Sequence, residues 1–85
     1  MAITVESTPN PNAMKFTVGV SVGGPGTYVR GAQPDEPFLG ELVEIDGVSS
    51  VFFTADFVTI TKSPEGSWGS ITPEATAILE THFDV

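Results

Sequence analysis

The chain has 85 residues, eleven acidic and three basic side chains, a formal net charge of −8 and no cysteine. This length allows a single core, so we predict one domain over residues 1–85. The lack of cysteine excludes disulfide bonds and thiolate ligands for a metal or cluster. Three basic residues cannot form the basic stripe that a phosphate backbone or an anionic membrane requires, which predicts neither a nucleic-acid nor a membrane partner. The acidity serves either solubility or steering toward a basic partner, and composition leaves both open.

The start of the chain, residues 1–6, has neither the basic region nor the apolar segment of an export signal. No apolar run approaches the ~20 residues needed to cross a bilayer. We therefore expect a soluble protein, and a small domain that relies only on its core fits the cytoplasm.

Three strands are predicted in the first third of the chain. Alternating residues predict strands over 3–6 and 13–18, and a shorter one over 27–30. Residues 8–12, Thr-Pro-Asn-Pro-Asn, predict a stiff polar turn, because each proline fixes its own φ and favours extended geometry in the residue before it. Residues 19–26 are rich in glycine but are followed by no Lys-Ser/Thr pair. They predict a mobile hairpin loop better than a phosphate-binding loop.

Two helices are predicted from apolar stripes and their flanking signals. Residues 33–37 predict the start of a first helix of about ten residues, and Gly47 should follow its end in a left-handed conformation. The string 72–74, Thr-Pro-Glu, predicts the start of a second helix, with Thr72 as N-cap and Pro73 at the first position. The inner stripes consist of Phe38, Leu39, Leu42, Val43 and Ile45 in the first helix, and Ile71, Ala75, Ile78, Leu79 and Phe83 in the second.

Between the helices, residues 48–53 and 57–62 predict an antiparallel hairpin joined by 54–56. Val58 and Ile60 should face the helices, while the opposite side of that strand is half polar. The resulting order is β-β-β-α-β-β-α. Strands and helices in this order predict the α+β class, a mostly antiparallel sheet with two helices packed on one face.

Residues that could carry chemistry are few. His82 is the only histidine, and without a second histidine or a cysteine it predicts a structural or surface role better than a metal ligand. Glu41, Glu44 and Asp46 could hold a hard cation weakly, but a solvated helix face is the favoured interpretation. Asp56 is an ordinary turn residue. We therefore predict no catalytic residue, no metal or cofactor site and no enzymatic activity.

The chain resembles the N-terminal domain of the Nfu/NifU-like iron–sulphur scaffold proteins over almost its whole length. The motifs that carry the resemblance are Thr8-Pro9-Asn10-Pro11-Asn12 with Met14-Lys15-Phe16, then Gly19 and Val22, Leu42 with Ile45-Asp46-Gly47-Val48, Val51-Phe52-Phe53, Asp56-Phe57-Val58-Thr59-Ile60-Thr61-Lys62, and Trp68. The chain departs from the family where Val18 often is proline, where Glu36-Pro37-Phe38-Leu39 replaces Ser-Pro-Leu-Ala, and where Thr54 often is glycine.

The resemblance implies a role in iron–sulphur cluster assembly or delivery, and the family carries an iron-binding label. In the full-length relatives, a Cys-x-x-Cys motif in a separate C-terminal domain holds the cluster, so that chemistry does not transfer to any residue here. We therefore predict a non-enzymatic accessory or protein-interaction module without a cofactor. Its partner would be an iron–sulphur assembly factor or a recipient protein.

The predicted partner-binding residues are Asn10, Asn12, Met14, Lys15 and Trp68. A stiff polar loop next to a lysine presents a recognition surface at low entropic cost, although the same residues also suit a purely architectural turn. Trp68 is either a lid over the core or an exposed aromatic anchor. The alternative function is a small-ligand or phospho-group binding domain that uses the loop Gly23–Gly26 with Arg30.

Overall fold

The computed structural model describes residues 3–29, 31 and 37–84. Within these ranges the order is β-β-β-α-β-β-α, as predicted, and the class is α+β. The predicted helix-start residues 33–36 and Arg30, the end of the predicted third strand, lie outside the described residues. The elements are β1 (Thr4–Ser7), β2 (Ala13–Thr17), β3 (Gly26–Val29), α1 (Pro37–Val43), β4 (Val48–Thr54), β5 (Phe57–Lys62) and α2 (Trp68–Phe83).

The described strands form one antiparallel sheet in the order β1-β2-β5-β4-β3. The predicted hairpin β4–β5 is present and turns through Ala55 and Asp56, with Thr54 paired to Phe57. β5 lies at the centre, where Ile60 is opposite Met14 of β2 on one side and Val51 of β4 on the other. The N-terminal strands therefore join the sheet through β5, which lies almost half of the chain length after them in the sequence.

The antiparallel register assigns each strand residue to one of two faces of the sheet. On the covered face, Phe16, Val58 and Phe53 lie side by side and are buried together with residues of both helices. No helix of the described residues packs on the other face, which we call the open face. The open face consists of Thr4, Glu6, Ala13, Lys15, Thr17, Thr27, Val29, Ser50, Phe52, Thr54, Phe57, Thr59 and Thr61.

A single hydrophobic core lies between the covered face and the helices. Leu42 of α1, Leu79 of α2 and Val58 and Ile60 of β5 all have zero solvent exposure, which confirms the prediction that they share one core. Ile78 was predicted to belong to the same set but is only half-buried at its margin. The buried residues of α2 are therefore Ile71, Ala75 and Leu79, which are four positions apart and face the core.

The boundaries of both helices differ from the prediction. α1 ends at Val43, so it has seven residues rather than about ten. α2 begins at Trp68 with Ser67 as its N-cap residue, so Thr72 is not the cap and Pro73 lies inside the helix. Pro73 lacks an N–H and leaves only the carbonyl of Gly69 without its helical donor. Gly69 is exposed, so water can bind that carbonyl and the helix continues through the proline.

Gly47 has the predicted left-handed conformation, with φ of +95°. It does not cap α1, because the helix ends four residues earlier. Instead the Val48 N–H donates to the Ile45 carbonyl at 3.0 Å, which closes a turn that needs positive φ at its third residue. Neither helix in the described ranges is long and apolar enough to span a membrane.

Candidate functional site

The loop that joins β1 to β2, residues 8–12, is held by its own polar side chains, and we call it the Pro–Asn loop. The Asn10 Oδ1 accepts a hydrogen bond from the Asn12 N–H at 2.9 Å, the local bond that an asparagine turn makes. The Thr8 hydroxyl accepts from the Asn10 N–H at 3.2 Å. The same hydroxyl lies 2.9 Å and 3.0 Å from the Asn10 and Ala13 carbonyl oxygens, either of which can accept its proton.

Two side chains from distant parts of the sequence anchor this loop. The Lys62 ammonium donates to Asn12 Oδ1 at 3.1 Å, and the Lys62 N–H donates to the Asn12 carbonyl at 2.7 Å. The Trp68 Nε1–H donates to the Pro11 carbonyl at 3.2 Å. β5 and α2 therefore fix the loop from two directions, and the chain needs little further ordering there to bind a partner.

Three of the predicted partner-binding residues lie together and two lie apart from them. Within the Pro–Asn loop, Asn10 is exposed and Asn12 is half-buried. The half-buried Trp68 contacts the loop through its hydrogen bond to the Pro11 carbonyl. Met14 lies on the covered face and packs against the core, whereas Lys15 lies on the open face. Alternation along β2 separates these two side chains, which the sequence prediction had grouped.

The open face carries an aromatic pair that the sequence prediction did not assign to a site. The Lys15 ammonium lies over the Phe57 ring, 4.5 Å from its centroid. The centroids of Phe57 and Phe52 are 6.5 Å apart, and Phe52 is 38% exposed. The available signal was the run Val51-Phe52-Phe53, where alternation must turn one phenylalanine away from the core.

The glycine-rich loop of the alternative prediction packs against the core at two of its glycines. A Cβ on Gly24 would clash with the Phe53 carbonyl oxygen, and a Cβ on Gly26 would lie 2.7 Å from the Phe53 ring. Val22 is buried and its N–H donates to the Ala55 carbonyl at 2.8 Å. The loop is thus held at Val22, and packing explains two of its glycines, while its mobility stays a prediction. Arg30 lies outside the described residues.

An open pocket of about 710 Å³ lies where the turn before β4 meets the turn after β5 and the start of α2. The carboxylates of Asp46, Glu65 and Glu74 line it together with four serines. Gly47 and Gly66 also line it and approach each other so closely that a Cβ on Gly66 would lie 2.8 Å from the Gly47 carbonyl oxygen. The described residues contain no group of three or more histidine, aspartate or glutamate side chains placed to hold a metal ion.

His82 belongs to an aromatic cluster near the end of α2. Its ring stacks on Phe38 of α1 at 4.5 Å between centroids, and Phe83 meets it edge-on at 4.7 Å. These contacts join the two helices, which agrees with the predicted structural or surface role for the only histidine.

Comparison with known proteins identifies the family. The model described as "Scaffold protein Nfu/NifU N terminal" matches residues 3–85. The chain belongs to the Nfu/NifU N-terminal family. The resemblance drawn from the motifs is therefore confirmed.

Relatives of this Nfu/NifU N-terminal domain include much longer proteins. The chain is 41% identical over 87 residues to the Drosophila virilis protein named "NFU1 iron-sulfur cluster scaffold homolog, mitochondrial", covering 98% of the chain and 29% of that protein. A Drosophila willistoni protein of the same name is also 41% identical over 87 residues, covering 98% of the chain and 30% of that protein. The chain thus spans less than a third of the length of these relatives.

Solved structures share the fold of this Nfu/NifU N-terminal domain. The crystal structure of Staphylococcus aureus protein SAV1430 matches with a TM-score of 0.78 and 29% identity, over 94% of this chain and all of that one. The solution structure of a NifU-like protein from Saccharomyces cerevisiae matches with a TM-score of 0.65 and 30% identity, over 96% of this chain and 77% of that one.

Proposed function

We propose that the chain is a non-enzymatic protein-interaction domain of iron–sulphur cluster assembly or delivery, which binds its partner at the Pro–Asn loop and holds no cluster. The observation that carries this proposal is the preordered loop. Hydrogen bonds from Thr8, Lys62 and Trp68 fix its backbone, while Asn10 and both prolines stay exposed. A loop that is already ordered loses little entropy on docking, which favours it as a recognition element.

The Asn10 side chain supplies the specific chemistry. Its Oδ1 accepts from Asn12, whereas its amide nitrogen donates no hydrogen bond to any residue in the described ranges. The exposed amide therefore presents two N–H donors in a fixed direction. A backbone carbonyl or a carboxylate of a partner protein fits these donors.

The partner that we propose is the part of an iron–sulphur scaffold that bears the cluster. The relatives are named scaffold homologues and carry a domain like this one on less than a third of their length. The remainder of such a chain provides the partner surface, and the present domain provides recognition. The cytoplasmic location stays a prediction, since the relatives are named mitochondrial.

The test is a titration of the isotopically labelled chain with the Drosophila virilis relative from which the matching segment has been removed. We expect saturable shifts of the Asn10 and Asn12 amide resonances. Asn10→Asp keeps the oxygen that accepts from Asn12 but replaces the amide donors by a carboxylate, so it should raise the Kd about tenfold at an unchanged melting temperature.

Thr81→Glu is the matched control, because it also adds one negative charge but on an exposed position of α2. Its Kd should equal that of the parent. An Asn10→Asp variant that binds like the parent would assign the loop a purely architectural role. The absence of any binding would contradict the interaction function itself.

A further inference from the structure

The open face is the surface of this protein on which charge is scarce. Nine acidic residues lie in the described ranges, and seven of them are in the two helices or within three residues of a helix end: Glu41, Glu44, Asp46, Glu65, Glu74, Glu80 and Asp84. The open face carries one acidic and one basic side chain, Glu6 and Lys15, which are opposite each other in register. Among the described residues, the acidic side chains thus lie mainly in or near the helices, and the open face is nearly neutral.

The centre of this face has the composition of an interface core. Lys15, Phe57 and Phe52 form a continuous row of ring and ammonium contacts, surrounded by threonine side chains. Protein interfaces are depleted of charge at their centre and enriched in aromatic residues. The exposure of Phe52 and of Val29, at 38% and 58%, leaves apolar area at this face in contact with water.

Lys15 defines the chemistry of the occupant. Its ammonium is held over the Phe57 ring, and no carboxylate of the described residues lies within ion-pair distance of it, although Glu6 is its register partner. An ammonium fixed beside an apolar patch is complemented by a carboxylate that stands beside an apolar side chain. A nucleic-acid phosphate is a poorer complement, because the acidic helical side repels a polyanion.

The size of the face restricts the partner further. Five strands about 4.8 Å apart and about five residues long present roughly 20 by 17 Å, well below the about 800 Å² per partner of a stable complex. Two free copies of this acidic chain would also repel each other. A face of this size is therefore expected to act together with the Pro–Asn loop, so that one partner protein contacts both surfaces.

From these observations we infer that the open face is a second docking surface, and that its occupant is an apolar patch with a carboxylate on the cluster-bearing part of the scaffold. This inference rests on the proposed function and adds a surface to it. Lys15 follows the Pro–Asn loop by three residues, and its side chain lies on the open face, so one partner can contact both surfaces. The sheet edges are not required for this contact, which uses side chains only.

The same titration with the shortened Drosophila virilis relative tests the inference through variants of the open face. Lys15→Glu should raise the Kd about tenfold, chiefly by lowering the association rate, and the effect should shrink at high salt. Phe52→Ser should raise the Kd by a similar factor at both salt concentrations, because it removes apolar contact. Phe52 is exposed and serine already occurs on this face, so the variant should fold, which its melting temperature checks.

The outcomes separate the two proposals. Thr81→Glu on α2 is the control for a change of charge away from the sheet. Binding that is weakened by Asn10→Asp but not by Lys15→Glu or Phe52→Ser would overturn the open face and leave the proposed function intact. Shifts on the open face that depend on the concentration of the chain alone would indicate a second copy as the occupant and would also overturn the inference.

Discussion

At the scale of single residues, glycine contacts determine where two turns can meet. The backbone of Gly47 has positive φ, and a Cβ there would lie 3.0 Å from Gly66 Cα and 3.4 Å from Ile71 Cδ1. The sequence predicted the conformation of Gly47 but not this contact, since Gly66 belongs to a turn 19 residues later. A positive φ is a local property, and a glycine in the sequence is enough to indicate it. A close approach of two backbones depends on the assembled fold.

Replacing Gly47 by alanine should lower the free energy of unfolding by about 1 kcal/mol or more, through strain and crowding against Gly66. Gly19→Ala is the matched control, because Gly19 has φ of +90° and nothing within 4 Å of the added Cβ. Both variants share the conformational strain, so the difference in chemical unfolding isolates the contact. Equal losses for the two variants would show that the turn relaxes away from Gly66.

At the scale of elements, alternation predicted the strands well and end signals predicted the helices less well. The hairpin β4–β5 was found because Val58 and Ile60 alternate with polar residues and because a short turn precedes them. The start of α2 was misplaced because Thr72-Pro73-Glu74 has the composition of a helix N-terminus. The helix begins earlier, at Trp68, because two tertiary contacts hold its first turn. The Trp68 indole donates to the Pro11 carbonyl, and Ile71 is buried in the core. Such tertiary contacts override the local signal.

Leu42→Ala should destabilise the protein by roughly 2–5 kcal/mol, because Leu42 is fully buried between α1 and the sheet and its truncation leaves a cavity. A domain of this size is stable by about 5 kcal/mol, so a large part of its stability should be lost. Thermal melting measures the effect. The exposed neighbour Glu41 provides the comparison, and Glu41→Ala should melt close to the parent. Indistinguishable melting of the two variants would mean that α1 is packed differently.

At the scale of the whole molecule, family motifs predicted more than composition did. Composition limited the chain to one core and excluded thiolate ligands, whereas the ordered set of motifs from the Pro–Asn string to Trp68 predicted the family. The candidate site was predicted in part. Asn10, Asn12 and Trp68 meet at the loop, but the opposite directions of Met14 and Lys15 follow from the register of β2 in the sheet.

The isolated chain should hold no iron–sulphur cluster, because such clusters are usually bound by about four cysteine thiolates and this chain has none. Anaerobic incubation with iron and sulphide, followed by desalting, should leave the protein without a charge-transfer absorption band. The Drosophila virilis scaffold relative, treated in parallel, checks that the reagents are active. A stoichiometric band that stays with the chain after desalting would contradict the prediction.

The order of the strands also has a consequence for aggregation. The two longest strands, β4 and β5, lie inside the sheet, and the two edges are formed by β1 and β3, each of only four residues. An edge this short offers few unpaired backbone groups to a strand of another molecule. β1 also places Glu6 at its edge, and a charge there opposes the stacking of further strands. The sheet can thus expose one whole face to water while its short edge strands remain poor templates for fibril growth.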